Sequence, residues 1–255
     1  MNSSFNRHTL VWIRPECRSV VAAQVSDDEL RRYAEAWLAA DRPLVVARKM
    51  MDKDIPNVGA GHAREQKDNR GHGPLLQLEP FSMGNGIADP IAVGLALPPA
   101  LGKRRVAFSV DPGDIARYTP PLLLAEAVAQ APAAWQPVLA ELHDAAINIG
   151  IELRVFGSLA WQALSGIQYL TPQSDIDLLW HPQSHAQLRQ GIALLARWER
   201  SGGLRADGEV LFGGSGAVSW REWAALKSGG DQRVLVKRAF SAELVAAGEL
   251  LELLA

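Results

Sequence analysis

The chain has 255 residues, of which 48% are hydrophobic and 21% are charged, and this composition excludes an intrinsically disordered protein. Its 26 Lys and Arg residues are balanced by 28 Asp and Glu residues, and the formal charge of −2 argues against sequence-independent binding of nucleic acid. The single cysteine, with no signal-peptide pattern and no run of roughly 18 apolar residues, predicts a cytoplasmic protein outside the membrane and without internal disulfides.

The first half of the chain predicts one helix and two strands, with a long irregular region between the two strands. Residues 26–29, Ser-Asp-Asp-Glu, predict an N-cap and the acidic first turn of an amphipathic helix that ends before Pro43. The segments at residues 44–49 and 106–110 are typical of buried strands. Residues 57–94 are rich in Gly, Pro, Asn and His, which predicts a long loop or irregular region.

The second half alternates short strands with helices. One helix is expected from Pro120 to Pro132, and an amphipathic helix ends on Gly150. Strands are expected at residues 152–156, 175–180, 208–212, 217–220 and 233–237, and helices at 159–167, 184–200, 221–227 and 241–255. The alternation predicts an α/β (α+β) fold, with a smaller N-terminal domain at residues 1–125 and a catalytic domain with a mixed sheet at residues 126–255.

The residues with the clearest chemical pattern lie at the start of the second half. Gly157 and Ser158 stand where a strand turns into a helix, so their backbone N–H groups can face an anion. Asp175 and Asp177 share one face of a strand and lie about 7 Å apart at ~3.3 Å per residue. Paired carboxylates of this kind can hold Mg²⁺ or Mn²⁺ ions separated by roughly 3.5–4 Å. Phosphate beside metal-binding carboxylates predicts nucleotidyl transfer.

A third carboxylate is expected from a neighbouring strand. Asp207 and Glu209 have the same strand parity, and the sequence does not choose between them. Gly208 between them permits a close approach of two backbones. The predicted catalytic and metal-binding set is therefore Asp175, Asp177 and one of Asp207 or Glu209.

The order of these motifs resembles the polymerase-β-type nucleotidyltransferase superfamily, in which a Gly-Ser turn precedes Asp-x-Asp and a distant third carboxylate. The longer string at residues 156–180, with Asp207-Gly208-Glu209 and residues 217–223, is similar to one branch of that superfamily. That branch is the family of phosphoribosyl-dephospho-CoA transferases, also called malonate decarboxylase holo-acyl-carrier-protein synthases. The sixteen residues between Ser158 and Asp175 match the spacing of this branch.

The resemblance implies a reaction, a cofactor and a partner. The substrate would be 2′-(5″-triphosphoribosyl)-3′-dephospho-CoA, and the acceptor would be a serine of the apo acyl carrier subunit of malonate decarboxylase. Diphosphate would leave, with Mg²⁺ or Mn²⁺ held by the predicted carboxylates. The residues expected to bind the triphosphate or the CoA-like part are Gly157, Ser158, Lys103, Arg104, Arg105 and Arg221. Lys237 could also point into the cleft, but strand alternation leaves its face undecided.

Three other functions remain open at this stage. The equivalent transferase of citrate lyase uses the same prosthetic group, and only resemblance separates the two. A nucleotidyltransferase could instead use ATP or CTP on RNA, protein or a small molecule. A catalytically inactive nucleotide-binding regulator is a further alternative, although the intact carboxylates argue against it. Acyl carrier proteins are usually acidic, so the basic residues of the first half, Arg104 and Arg105 above all, are expected to dock the carrier.

Overall fold

The computed structural model describes residues 5–47, 75–76, 89–201, 204–213, 216–226, 232–238 and 241–254. In this part of the chain the strands form two six-stranded sheets with helices packed on them. The structure is therefore of mixed α/β class, as the sequence predicted. None of the helices in these ranges is long and apolar enough to cross a membrane.

The first sheet is built from residues 10–119. Its strands are β1 (Leu10–Ile13), β2 (Leu44–Val46), β3 (Leu75–Leu76), β4 (Ile91–Ala96), β5 (Arg105–Val110) and β6 (Ile115–Thr119). They lie in the order β3-β5-β4-β2-β1-β6, and only β3 and β5 pair in parallel. Helices α1 (Arg18–Ala23) and α2 (Asp28–Ala39) connect β1 to β2. The carboxylate of Asp27 accepts the N–H groups of Glu29 and Leu30, so the predicted N-cap is confirmed.

The second sheet is built from residues 154–246. Its strands are β7 (Arg154–Val155), β8 (Ile176–Trp180), β9 (Ala206–Phe212), β10 (Gly216–Ser219), β11 (Arg233–Lys237) and β12 (Ala242–Ala246), in the order β12-β11-β10-β9-β8-β7. The accompanying helices are α3 (Leu124–Val128), α4 (Gln136–Ile147), α5 (Gly157–Ser165), α6 (His185–Arg200), α7 (Trp220–Ala224) and α8 (Ala247–Leu251). Strands β8 and β9 are parallel, and the other pairs are antiparallel.

The parallel pair positions the acidic residues of the second sheet. Its register places Asp177 beside Asp207 and Leu179 beside Glu209. Gly208 lies beside Leu178 of β8, and the two backbones approach closely there. A Cβ atom added to Gly208 would lie 2.4 Å from the carbonyl oxygen of Leu178. The expected close backbone approach at Gly208 is therefore confirmed.

Each sheet has its own apolar core, and residues that follow β7 in sequence, including Trp161 and Tyr169, pack into the first core. Trp161 of α5 and Tyr169 belong to the cluster that lies under the first sheet. The Trp161 ring meets the Trp37 ring edge-on at 5.4 Å, and the Tyr169 hydroxyl donates to the carbonyl of Ala96 at 2.9 Å. These contacts attach the helix that follows the Gly-Ser turn to the first sheet.

Two sequence predictions about secondary structure are wrong in part. Residues 242–246 form a strand and not the start of a helix, because β11 offers them a hydrogen-bonded partner with Leu235 opposite Leu244. The helix expected from Pro120 begins only at Leu124, since the preceding residues pair with β7: the Leu122 carbonyl accepts the Val155 N–H.

The prediction of irregular structure at residues 57–94 is also wrong in two places. Leu75–Leu76 pairs in parallel with β5, and β4 starts at Ile91. The remaining part of that region, apart from residues 89–90, lies outside the described residues.

Candidate active site

The turn at Gly157 and Ser158 brings the start of α5 against the side chain of Asp177. Gly157 has φ +61°, and a Cβ atom there would lie only 1.8 Å from Asp177 Oδ2. The Ser158 N–H donates a hydrogen bond to the Asp177 carboxylate, and the Phe156 N–H donates to the Asp177 carbonyl at 3.1 Å. Only glycine can combine this left-handed backbone with such a close carboxylate. The Gly-Ser turn and the Asp-x-Asp strand, separated in sequence, therefore form one unit.

Three carboxylates are neighbours on this face of the sheet. Asp177 of β8 lies in register with Asp207 of β9. Asp175 is the residue immediately before β8. Burial, together with the charges of Asp207 and Asp175, raises the pKa of Asp177 to about 7. Bringing a cation to this group would relieve the repulsion among the carboxylates and favour their ionised forms.

The other two carboxylates are more exposed and have partners of their own. Asp175 pairs with Arg205, with 3.5 Å between its Oδ1 atom and the guanidinium Nε. Asp207 accepts the N–H of Gly208 through Oδ1 at 2.8 Å. Within the described ranges, no group of three or more His, Cys, Asp or Glu side chains is placed to hold a metal ion. The carboxylates thus have the chemistry and location for a hard cation, but their side chains do not converge on a common point.

Glu209 has a different environment from Asp207. Its carboxylate is almost fully buried, with 5% of the residue exposed. It meets Arg7 Nη1 at 3.2 Å, His8 Nε2 at 3.4 Å and Lys237 Nζ at 3.0 Å. Its hydrogen bond with His8 and the charges of Arg7 and Lys237 hold the pKa of Glu209 below its usual range despite burial. The carboxylate is therefore satisfied by protein cations, whereas Asp207 contributes to the electrostatics of Asp177.

Arg7 and His8 are site residues that sequence reasoning missed. They form a turn just before β1, where His8 has φ +68°. The His8 ring also packs against the ring of Phe156, with centroids 4.1 Å apart. This turn consequently touches both sides of the site, the residue before Gly157 and the buried Glu209. Because about 200 residues separate Arg7 and His8 from Glu209, no local pattern could have indicated the contact.

The predicted basic triplet separates into residues with different surroundings. Arg105, at the start of β5, is close enough for its charge to lower the pKa of Asp177 against the larger effects that raise it. Arg104 points toward the start of α2, with 3.7 Å to Asp27 and 3.5 Å to Glu29. Lys103 occupies the preceding turn with φ +53°. The charge of Arg105 therefore acts on Asp177, whereas Arg104 pairs with the acidic residues at the start of α2.

Arg221 is engaged at the start of β9, at the residue next to Asp207 in the chain. Its Nη2 atom donates to the Ala206 carbonyl at 2.8 Å and pairs with Glu199. The guanidinium also lies over the Trp220 ring, 4.7 Å from its centroid. These contacts fix α7 against α6 and β9, and the expected phosphate contact of Arg221 stays a prediction.

Comparison with known proteins finds similarity to phosphoribosyl-dephospho-CoA transferases over almost the whole chain. Two family models match: "Phosphoribosyl-dephospho-CoA transferase MdcG C-terminal domain" over residues 123–248, and the corresponding N-terminal domain over residues 84–121. A protein of Xanthomonas euvesicatoria pv. vesicatoria named phosphoribosyl-dephospho-CoA transferase is 38% identical over 233 residues, which cover 91% of this chain and 89% of that protein. The chain belongs to the phosphoribosyl-dephospho-CoA transferase family.

Two further relatives bear the same name. The Azotobacter vinelandii protein is 30% identical over 87% of this chain and 88% of its own length. A Bradyrhizobium diazoefficiens protein is 40% identical over 150 residues, 59% of this chain and 65% of that protein. No solved structure matches significantly. Membership in the transferase family therefore rests on sequence, and the arrangement of the site rests on the structure described above.

Proposed function

We propose that this chain is a nucleotidyltransferase that moves the phosphoribosyl-dephospho-CoA group onto a serine of an apo acyl carrier subunit, that of malonate decarboxylase. The donor is 2′-(5″-triphosphoribosyl)-3′-dephospho-CoA, and the second product is diphosphate. The observation that carries the proposal is the placement of Asp177 beside Asp207 and against the Gly157 turn, in a member of the transferase family.

The chemistry is a displacement at the α-phosphorus of the triphosphate. The carrier serine oxygen forms a new bond to phosphorus, the bond to the diphosphate oxygen breaks, and the serine proton is released. Since the nucleophile belongs to the carrier, the chain itself has to position both substrates and neutralise charge. The polymerase-β-type pattern of the sequence supports this division of roles.

The carboxylates would hold Mg²⁺ or Mn²⁺. Asp175, Asp177 and Asp207 supply the hard oxygen donors that such ions prefer. The bound ion would lower the pKa of the serine hydroxyl and offset phosphate charge. Asp175 has to exchange its contact with Arg205 for the ion, which leaves the exposed Arg205 guanidinium available for phosphate. Glu209, already paired with Arg7 and Lys237, is not part of this proposed ligand set.

Cationic groups around the carboxylates would bind the donor. Arg105 lies close enough to influence Asp177, so it is positioned to meet a phosphate oxygen near the metal. The Gly157 and Ser158 backbone fixes Asp177 and borders the same space. Lys103 and Arg104 directly precede Arg105 in the chain, and we assign them to the CoA-like part or to the carrier surface.

The test is a reconstituted transfer reaction. The protein is incubated with Mg²⁺, the triphosphoribosyl donor and the apo carrier, while carrier mass and released diphosphate are followed. We expect each carrier to gain the mass of one phosphoribosyl-dephospho-CoA group. One diphosphate should be released for each carrier modified. Asp177→Asn and Asp207→Asn should abolish transfer, whereas Glu243→Gln, an exposed change on β12, should not. Transfer from ATP or CTP to another acceptor with no mass gain on the carrier would refute the proposal.

The choice of carrier is tested in the same assay. Apo carriers of malonate decarboxylase and citrate lyase are compared at equal concentration with the same donor. We expect the malonate decarboxylase carrier to have the higher kcat/KM. A higher value for the citrate lyase carrier would reassign the partner and leave the chemistry intact.

A further inference from the structure

Beside the carboxylates, two cations from distant parts of the chain converge on one buried acid. Arg7 reaches Glu209 Oε2 at 3.2 Å, and Lys237 reaches Glu209 Oε1 at 3.0 Å. The Glu209 side chain is 6% exposed, whereas the Lys237 side chain is 40% exposed. The buried Glu209 carboxylate therefore fixes both cations by ion pairs, and the Lys237 side chain remains accessible to solvent.

The cluster has more positive charge than its internal pairing requires. Arg7 and Lys237 contribute two positive charges against the single negative charge of Glu209. A guanidinium carries five N–H donors and an ammonium carries three, so one carboxylate leaves several donors available. Arg7 alone reaches both Glu209 carboxylate oxygens, at 3.4 Å and 3.2 Å, as in the two-bond contacts that one arginine makes with one carboxylate. The second, half-exposed cation suggests that the cluster also serves a ligand.

The cluster lies on the same face of the sheet as the proposed metal ligands. Glu209 follows Asp207 by two residues on β9, about 7 Å along the strand, and side chains at this spacing point to the same side. In the cross-strand register Ala217 faces both Leu211 and Lys237. Residues that face each other across neighbouring strands project from the same face of the sheet. Leu211 is on the same face as Glu209, since the two residues are two positions apart on β9, and Lys237 is therefore on the face of Glu209 as well.

This position suits the part of the donor that leaves. The carboxylates and their cation would neutralise the reacting phosphate, but the other two phosphates of the triphosphate carry further negative charge. Fixed cations close to a leaving diphosphate stabilise it as charge accumulates there.

We propose that Arg7 and Lys237, held in place by Glu209, form a diphosphate-binding site beside the carboxylates. His8 is a positioning residue in this site, since its ring lies on Phe156 and its Nε2 atom meets Glu209 at 3.4 Å. The site rests on the proposed function for its substrate, but its anion-binding property is testable without that reaction. It assigns the turn at Arg7 and His8 to recognition of the leaving group.

The test measures binding of inorganic diphosphate to the full-length protein by titration calorimetry, in the presence of Mg²⁺. Lys237→Gln should weaken binding by about tenfold, 1.4 kcal/mol, and Lys237→Arg should restore most of it. Arg233→Gln is the matched control because it removes the same charge from the other end of β11, where the guanidinium is bonded to the Leu244 carbonyl. We expect the control to bind diphosphate like the unmodified protein.

Activity measurements separate binding from folding. In the transfer assay, Lys237→Gln should raise the KM for the triphosphoribosyl donor without a matching rise in the KM for the carrier. Arg7→Gln should do the same; if this partly buried change prevents folding, the exposed Lys237 position still decides the question. Unchanged diphosphate affinity in a folded Lys237→Gln protein would overturn the proposal. If the unmodified protein transfers nothing to the carrier but binds diphosphate in a way that depends on Lys237, the anion site is retained and the proposed reaction is refuted.

Discussion

The contact between Gly157 and Asp177 allows a sharp test of the proposed site. Gly157→Ala places a methyl group where Asp177 Oδ2 lies 1.8 Å away, on a backbone with φ +61°. The left-handed conformation alone costs a non-glycine residue roughly 1–2 kcal/mol. The clash adds a second effect, because Asp177 has to rotate away and abandon its hydrogen bond from Ser158.

Gly166 provides a matched control at the other end of the same helix. It has φ +70°, and an added Cβ atom there meets nothing within 4 Å. Gly166→Ala should therefore cost only the conformational 1–2 kcal/mol, a fall in Tm of about 2–8 °C for a chain of this size. Transfer activity of this control should stay near that of the unmodified protein at a temperature where both are folded.

The two variants are compared by thermal unfolding and by the initial rate of carrier modification. We expect Gly157→Ala to unfold at or below the Tm of Gly166→Ala and to lose on the order of 100-fold in rate, the effect of displacing a reacting group by about 1 Å. Adding Asp177→Ala to Gly157→Ala should recover stability relative to the sum of the single changes, since the clash disappears. Equal activity of the two glycine variants would refute the role assigned to Asp177.

Further predictions concern the partners of buried groups. Glu209→Gln should lower the free energy of unfolding by about 1.5–3 kcal/mol, measured in urea, because hydrogen bonds to charged groups are lost. The pKa of Glu209 is lowered in the folded state, so ionised Glu209 stabilises the fold above its unfolded pKa of about 4.3, and this stabilisation is lost as the pH falls below that value. The difference in free energy of unfolding between the unmodified protein and Glu209→Gln should therefore shrink between pH 6 and pH 3. The pKa of the Cys17 thiol is raised by its hydrogen bond to Asp114 and by burial, so iodoacetamide should label this single cysteine slowly at pH 8. Asp114→Asn should accelerate the labelling, and an unchanged labelling rate would contradict the assigned cause. Tyr169→Phe removes the hydroxyl bonded to Ala96 and should cost about 1 kcal/mol with little change in rate, as checked by urea unfolding and the transfer assay.

The sequence was most informative where chemistry depends on local spacing. Asp175 and Asp177 on one strand, and Gly157 at the preceding turn, are patterns of a few residues, and the register of β8 with β9 brings Asp207 beside them. The same local reasoning could not choose between Asp207 and Glu209, since both have the same parity. The difference lies in partners from elsewhere in the chain, which pair with Glu209 alone.

The wrong secondary-structure predictions have a similar cause. Residues 241–255 have the composition of a helix, rich in Ala, Leu and Glu. Their first part nevertheless pairs with β11 at five positions, and this tertiary pairing overrides the local helix propensity. Arg7 and His8 were missed for the same reason, since their role depends on a residue about 200 positions away. Tertiary partners thus decided the cases that local propensity left open.

The contact of Arg7 and His8 with Glu209 also has a consequence for the order of folding. During synthesis the first turn is made long before β9, and a pairing across about 200 residues forms late because closing so long a loop costs entropy. Until it forms, Glu209 lacks two of its partners and the Phe156 ring lacks the imidazole beside it. Assembly of the acidic face is thereby coupled to docking of the two sheets, so a chain with only its second half folded would lack a finished site.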